Sequence, residues 1–153
     1  MLKDILLLQK REIESRLKER YIERLAHKLN INNNLIKVIV GPRRAGKSFF
    51  ALHFLKEESF AYVNFDDEKL VDIKDYDELI EVLKSVYNNP KILFFDEIQN
   101  IEKWELLVNR LQRQGYNLVI TGSNSKLLSK ELATHLTGRH SSINIFPFSF
   151  KEL

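Results

Sequence analysis

Apolar residues along this chain recur in two rhythms. Short, nearly unbroken apolar runs, rich in β-branched and aromatic residues, fall at 35–40, 60–65, 91–95 and 117–121, as expected of buried strands. Between them apolar positions recur every three to four residues, the spacing of one helix face. Residues 3–29 read as one long amphipathic helix, with Ile5, Leu6, Ile13, Leu17, Tyr21, Leu25 and Leu29 near one side. Opposite charges such as Glu12 and Arg16, and the group Glu19, Glu23 and Arg24, mark its solvated side. The expectation is a helix packed on the edge of a domain. The alternative is a docking helix for a partner subunit or a DNA backbone, with Arg20 and Arg24 as contacts.

An asparagine-rich turn at 30–34 closes this helix and opens the first strand. Further helices are expected at 49–57, with Phe50, Leu52, Phe54 and Leu55 apolar, and at 75–87, with Leu79, Ile80, Leu83 and Val86 inward. Asn88-Asn89-Pro90 stops the second of these. A helix at 102–114 turns Trp104, Leu107, Val108 and Leu111 to one side, and a short helix at 126–136 precedes a fifth strand at 142–146. Strands alternating with helices predict an α/β fold: a parallel sheet with right-handed crossovers and helices on both faces.

One junction carries chemistry. After the first strand comes Gly41-Pro42-Arg43-Arg44-Ala45-Gly46-Lys47-Ser48, which fits the phosphate-binding pattern G-x-x-x-x-G-K-[ST]. Gly41 and Gly46 let the backbone approach a ligand closely. The loop's N–H groups and the next helix's N-terminus then make an anion-binding nest. Lys47 supplies a full charge to the β- and γ-phosphates, and Ser48 a hydroxyl to Mg²⁺. The nucleotide-binding set is therefore Gly41, Pro42, Arg43, Arg44, Ala45, Gly46, Lys47, Ser48 and Phe49.

The run Ile92-Leu93-Phe94-Phe95 ends in Asp96-Glu97, and Asp96 stands 49 residues after Lys47 with one strand between. Four apolar residues in a row imply a strand covered on both faces, and its carboxyl edge is where α/β sheets bind ligands. Asp96 is placed to hold Mg²⁺ together with Ser48. Glu97 is placed to polarise a water for attack on the γ-phosphate. A kinase would need to exclude that water, so Glu97 disfavours a small-molecule kinase. The acids at 66–68 read as solvated loop residues, with an approach to the nucleotide as the alternative.

Composition narrows the classes. The 153 residues, 44% of them hydrophobic, suit one domain with a real core. No cysteine is present, which removes disulfides and thiolate metal sites. His27, His53, His135 and His140 lack metal-ligand spacing. No apolar run reaches the ~20 residues that span a bilayer, and the first ten residues lack a signal-peptide pattern. The expected location is the cytoplasm, with no membrane partner. The net charge of +3 resides entirely in residues 1–30, which hold eight Lys/Arg against five Asp/Glu. That surplus is too small to argue nucleic-acid binding.

Gly-Pro-Arg-Arg-Ala-Gly-Lys-Ser, Phe-Phe-Asp-Glu-Ile-Gln, Ile-Thr-Gly-Ser-Asn-Ser, Thr-Gly-Arg-His and Pro-Phe-Ser-Phe-Lys-Glu-Leu follow one another in a single order. Together they resemble the ATPase domain of AAA+-like prokaryotic ATPases, abundant in archaea, which usually continue into a C-terminal nuclease-like domain. The resemblance covers nearly the whole chain. It implies a three-layer P-loop NTPase fold with strand order 5-1-4-3-2. Gly41 to Ser48 match Walker A, and Asp96 and Glu97 match Walker B. The turn after the fourth strand matches sensor 1, with Ser123 and Asn124 both qualifying and Asn124 preferred for its amide. Arg139 resembles an arginine finger, with a surface salt bridge as the plain alternative. The family's lid and nuclease-like domain are not within these residues. The expected organisation is an N-terminal amphipathic helix over 1–30 and an ATPase core over 31–153.

The function so implied is Mg²⁺-dependent hydrolysis of ATP to ADP and phosphate. The catalytic set is Glu97, Lys47, Asn124, Ser123 and Arg139, with Ser48 and Asp96 holding the metal. ATP is the expected ligand and DNA or a protein the partner to which hydrolysis is coupled; a nucleotide-dependent homo-oligomer and a monomer both stay open. The alternative is a nucleotide-gated DNA- or protein-binding module with little turnover.

Overall fold

Three of the five strands are buried at nearly every position, because helices cover the sheet on both sides. The computed structural model describes residues 1–18, 35–42 and 46–123, and the backbone of the strand at 140–144. The chain runs α1 (Leu2–Arg16), β1 (Ile36–Val40), α2 (Lys47–Leu55), β2 (Phe60–Asn64), α3 (Glu68–Val71), α4 (Tyr76–Tyr87), β3 (Ile92–Asp96), a 3-10 turn (Ile98–Asn100), α5 (Trp104–Arg113), β4 (Asn117–Gly122) and β5 (His140–Asn144). All pairings are parallel, in the order β2-β3-β4-β1-β5. Read from the other edge, this is the expected 5-1-4-3-2.

Two apolar clusters sandwich the sheet. On one face Val38, Val40, Val63, Phe95 and Ile120 meet Leu79 and Leu83 of α4 and Trp104, Leu107, Val108 and Leu111 of α5. On the other, Ile39, Tyr62, Phe94 and Val119 meet Phe50, Ala51, Leu52 and Leu55 of α2. The inward stripes expected for α4 and α5 are therefore the observed ones, apart from Val86, which is only partly buried. Asp75 caps α4 by accepting from the Glu78 N–H at 2.9 Å. Asn88, at φ +58, ends that helix, as the Asn-Asn-Pro signal predicted.

α1 belongs to both faces. Ile5 and Leu6 enter the first cluster and Ile13 the second, so the helix wraps the exposed edge of β2. The expectation of an edge-packed helix holds for this part, but the described helix ends at Arg16 and Leu17 stands 37% exposed beyond it. The remainder of the predicted helix, 19–29 with Arg20 and Arg24, lies outside the described residues.

Gln9, a polar residue inside the apolar stripe, is 97% buried. Its Oε1 accepts the Asn64 N–H at 3.0 Å and its Nε2 donates to the Asn64 carbonyl at 3.1 Å. The side-chain amide thus pairs with β2 as a neighbouring strand would. It satisfies backbone groups that an edge otherwise leaves open.

Two other expectations need adjustment. Residues 68–71 form the short helix α3, with Asp67 as its cap accepting the Lys69 N–H at 2.9 Å, so the acids after β2 are structural as well as solvated. The fifth strand starts at His140, two residues before its predicted start. The short helix predicted at 126–136 lies outside the described residues.

Candidate functional site: the crevice at the carboxyl edge of the sheet

The strand order builds the site. β4 lies between β1 and β3, so the loop after β1 and the acids ending β3 flank the end of β4 at one edge of the sheet, where strand order reverses. The Gly41 N–H donates to the Gly122 carbonyl at 3.2 Å, tying the loop's start to β4. Gly46, at φ +85, makes the left-handed turn into α2, a conformation that glycine adopts without steric cost. Lys47 is the first residue of that helix, and its side chain is nearly buried.

Asp96, the last residue of β3, is the hub. Its carboxylate accepts from Ser48 Oγ at 2.8 and 3.0 Å to its two oxygens and from the Tyr62 hydroxyl at 2.8 Å. It also accepts from the Thr121 hydroxyl of β4. Thr121 in turn accepts the Glu97 N–H at 2.9 Å, so one hydroxyl couples both acids. Burial pushes the Asp96 carboxyl above its ordinary range. The hydrogen bonds from Thr121, Ser48 and Tyr62 oppose that shift, and the charge of Glu97 adds to it. Tyr62 is raised as well, by burial first and then by the negative charge of Asp96.

Glu97 sits at φ +55, uncommon for a residue with a side chain, where β3 breaks into the 3-10 turn. Both carboxylate oxygens are engaged. Lys47 Nζ lies 2.6 Å from Oε1, with the two side chains 5% and 12% exposed. Gln99 Nε2 donates to Oε2 at 2.7 Å, while Gln99 Oε1 is buried without a hydrogen-bond partner.

These groups open into a cleft of about 370 Å³. Gly46, Lys47, Ser48 and Phe49 form one wall, Asp96 and Glu97 the floor, Asn64 and Asp66 the β2 side, and Arg16 of α1 the rim. The Ser48 hydroxyl and the Asp96 carboxylate lie 2.8 Å apart beside the cleft, two hard oxygen ligands of the kind that suits Mg²⁺. Among the described residues no cluster of three or more His, Cys, Asp or Glu could hold a metal.

Of the residues singled out in the sequence, Gly46, Lys47, Ser48, Phe49, Asp96 and Glu97 come together here. Gly41 and Pro42 lead into the loop behind them. Ser123 follows β4 directly but is not among the cleft's lining residues. Arg43, Arg44, Ala45, Asn124 and Arg139 lie outside the described residues.

Four participants were not foreseen. Thr121 was detectable as the polar end of an otherwise apolar strand. Gln9 belongs to the buried set of α1 with Ile5, Leu6 and Ile13, and pairs with Asn64, a cleft residue. Arg16 is exposed, as its place on the solvated side predicts, and nothing local in the sequence marks its position beside Phe49. Tyr62 gave no signal beyond that of a core aromatic.

The family model for the AAA domain, AAA_14, matches residues 33–153. An uncharacterized protein of Methanocaldococcus jannaschii is 49% identical over 124 residues, which cover 78% of this chain and 28% of that protein. An uncharacterized protein of Haemophilus influenzae is 40% identical over 149 residues, covering 88% and 36%. The chain thus spans about a third of these relatives' length. Among solved structures, AMPPCP-bound DnaA from Aquifex aeolicus aligns over 90% of this chain and 45% of its own with a TM-score of 0.51. At 15% identity that is a likeness of fold. Among the described residues no helix is long and apolar enough to cross a membrane. With the family model matching most of its length, the chain belongs to the AAA domain family.

Proposed function

We propose that this domain binds ATP with Mg²⁺ in the cleft and hydrolyses it to ADP and phosphate, work that the whole protein couples to a DNA or protein partner. The observation that carries the reading is the convergence of Lys47, Ser48, Asp96 and Glu97 on one crevice. The similarity of fold to AMPPCP-bound DnaA supports a nucleotide there.

In this reading Lys47 exchanges Glu97 for the β- and γ-phosphates. Ser48 and Asp96 hold the metal, and Tyr62 and Thr121 keep the Asp96 carboxylate aimed. Bound Mg²⁺ would supply charge neutralisation across the phosphates. Glu97, released from Lys47 and still held by Gln99, orients a water and accepts its proton as the water oxygen bonds to the γ-phosphorus. The bond to the bridging oxygen breaks, and ADP leaves. Ser123 or Asn124 would read the γ-phosphate from the turn after β4, and Arg139 would stabilise transition-state charge, within one chain or across a nucleotide-assembled homo-oligomer.

Phosphate release measured for the chain and for Glu97→Gln tests the reading. The variant should bind Mg-ATP and fail to turn it over, whereas turnover equal to the parent's would remove Glu97 from its role. One observation favours a second reading: both Glu97 oxygens are already engaged. A domain that keeps them so would be a nucleotide-gated binding module with slow chemistry. Nucleotide-dependent DNA affinity across a salt series, with no phosphate release, would select it.

A further inference from the structure

Helix α1 is fixed at three points before it reaches the cleft. Gln9 pairs with the β2 backbone at 3.0 and 3.1 Å. Lys10 Nζ donates to the Val86 carbonyl at 3.1 Å and lies 5.0 Å over the Tyr87 ring. Ile13 is buried among α2 and the sheet. One turn beyond Ile13 stands Arg16, exposed and the last residue of the helix, and its guanidinium lies 5.8 Å over the ring of Phe49. Phe49 adjoins Ser48, so the stacking holds a cation beside the wall that carries the Ser48 hydroxyl. Arg16 lines the same cleft as Asp66, Asp96 and Glu97.

The charges there are unbalanced. Among the described residues the cleft carries Asp66, Asp96 and Glu97 against Lys47 and Arg16, and Lys47 is paired with Glu97. A metal-bound triphosphate remains net negative, so it needs further cations close to its terminal phosphate. A guanidinium on the rim, planar and always charged, suits that oxygen-rich group.

Resting on the ATPase reading, we propose that Arg16 is a nucleotide-contact residue supplied by the N-terminal helix, its guanidinium leaving Phe49 to bind the terminal phosphate. The helix then distinguishes a triphosphate from a diphosphate. It carries that difference to whatever follows it in the chain.

Titration calorimetry with Mg-ATP and with Mg-ADP on the parent chain, Arg16→Gln and Arg16→Lys tests this. Arg16→Gln should weaken ATP on the order of tenfold to a hundredfold and leave ADP within about twofold. Arg16→Lys should recover part of the loss. Unchanged ATP affinity in Arg16→Gln overturns the proposal. Equal losses for ATP and ADP, in a variant whose circular dichroism and melting match the parent's, also overturn it by placing the guanidinium elsewhere on the nucleotide. If Arg16→Gln fails to fold, Arg16→Lys decides: ATP weakened with ADP within about twofold of the parent supports the contact, and unchanged ATP affinity or equal losses for both nucleotides overturn it. A parent chain that binds neither nucleotide overturns the ATPase reading, and this assignment with it.

Discussion

Lys47 Nζ lies 2.6 Å from Glu97 Oε1, pairing the residue suited to hold phosphates with the residue suited to orient water. Both are nearly buried, so removing one strands the other's charge where water reaches it poorly. A double-mutant cycle of Lys47→Met and Glu97→Gln, measured by urea unfolding without nucleotide, should show a coupling of about 1–3 kcal/mol. Strictly additive losses would mean that the pair contributes nothing to the empty domain.

The Thr121 hydroxyl donates to Asp96 and accepts from the Glu97 backbone. Thr121→Val keeps the shape and removes both bonds, leaving a buried N–H and weakening the grip on a carboxylate already raised by burial. The expected loss of stability is about 1–3 kcal/mol, followed through the fluorescence of the chain's one tryptophan, Trp104. Magnesium-dependent nucleotide binding should weaken in parallel.

Gln9→Leu preserves bulk but leaves the Asn64 N–H and carbonyl at the β2 edge without their partner. A cost of about 1–3 kcal/mol is expected, with faster hydrogen exchange at the Asn64 amide. Unchanged exchange there would show that α1 does not close this edge.

How much of this was legible in the sequence depends on whether a feature is local. The phosphate loop, the Asp96-Glu97 strand end and the stripes of α4 and α5 are local patterns, and the strand order followed from a resemblance carried by them. What remained hidden depends on partners distant in sequence. Tyr62 is an apolar-looking strand position until β3 brings Asp96 beside it. Gln9 is a polar interruption until the β2 edge lies against it. Arg16 reads as a solvated charge because helical spacing gives its face but not that Phe49 waits there. The described helix ends at Arg16 although periodicity continues through Leu17 and gives no stop signal there; residues 19–29 of the predicted helix lie outside the described residues.

Lys37 is fully buried in β1, its Nζ donating to Asn117 Oδ1 at 3.1 Å. Burial lowers its pKa from 10.5 to about 8. The folded chain releases this proton near pH 8, while the unfolded chain holds it toward pH 10.5. Between those values the unfolded state binds more protons, so raising the pH favours the folded form by up to about 1.4 kcal/mol per pH unit. Below the window the full penalty for a buried ammonium applies. Urea midpoints from pH 7.5 to 10 should show this rise against the titration of other groups, and Lys37→Met should flatten it.

The central claim is a triphosphate with its metal seated between the phosphate loop and the acids ending β3. Titration calorimetry of the folded chain with Mg-ATP, beside Lys47→Ala, tests it most directly. The account predicts saturable heat for the parent and its loss in the variant, with both proteins melting cooperatively. No heat from the parent, or equal affinity in the two, would contradict it.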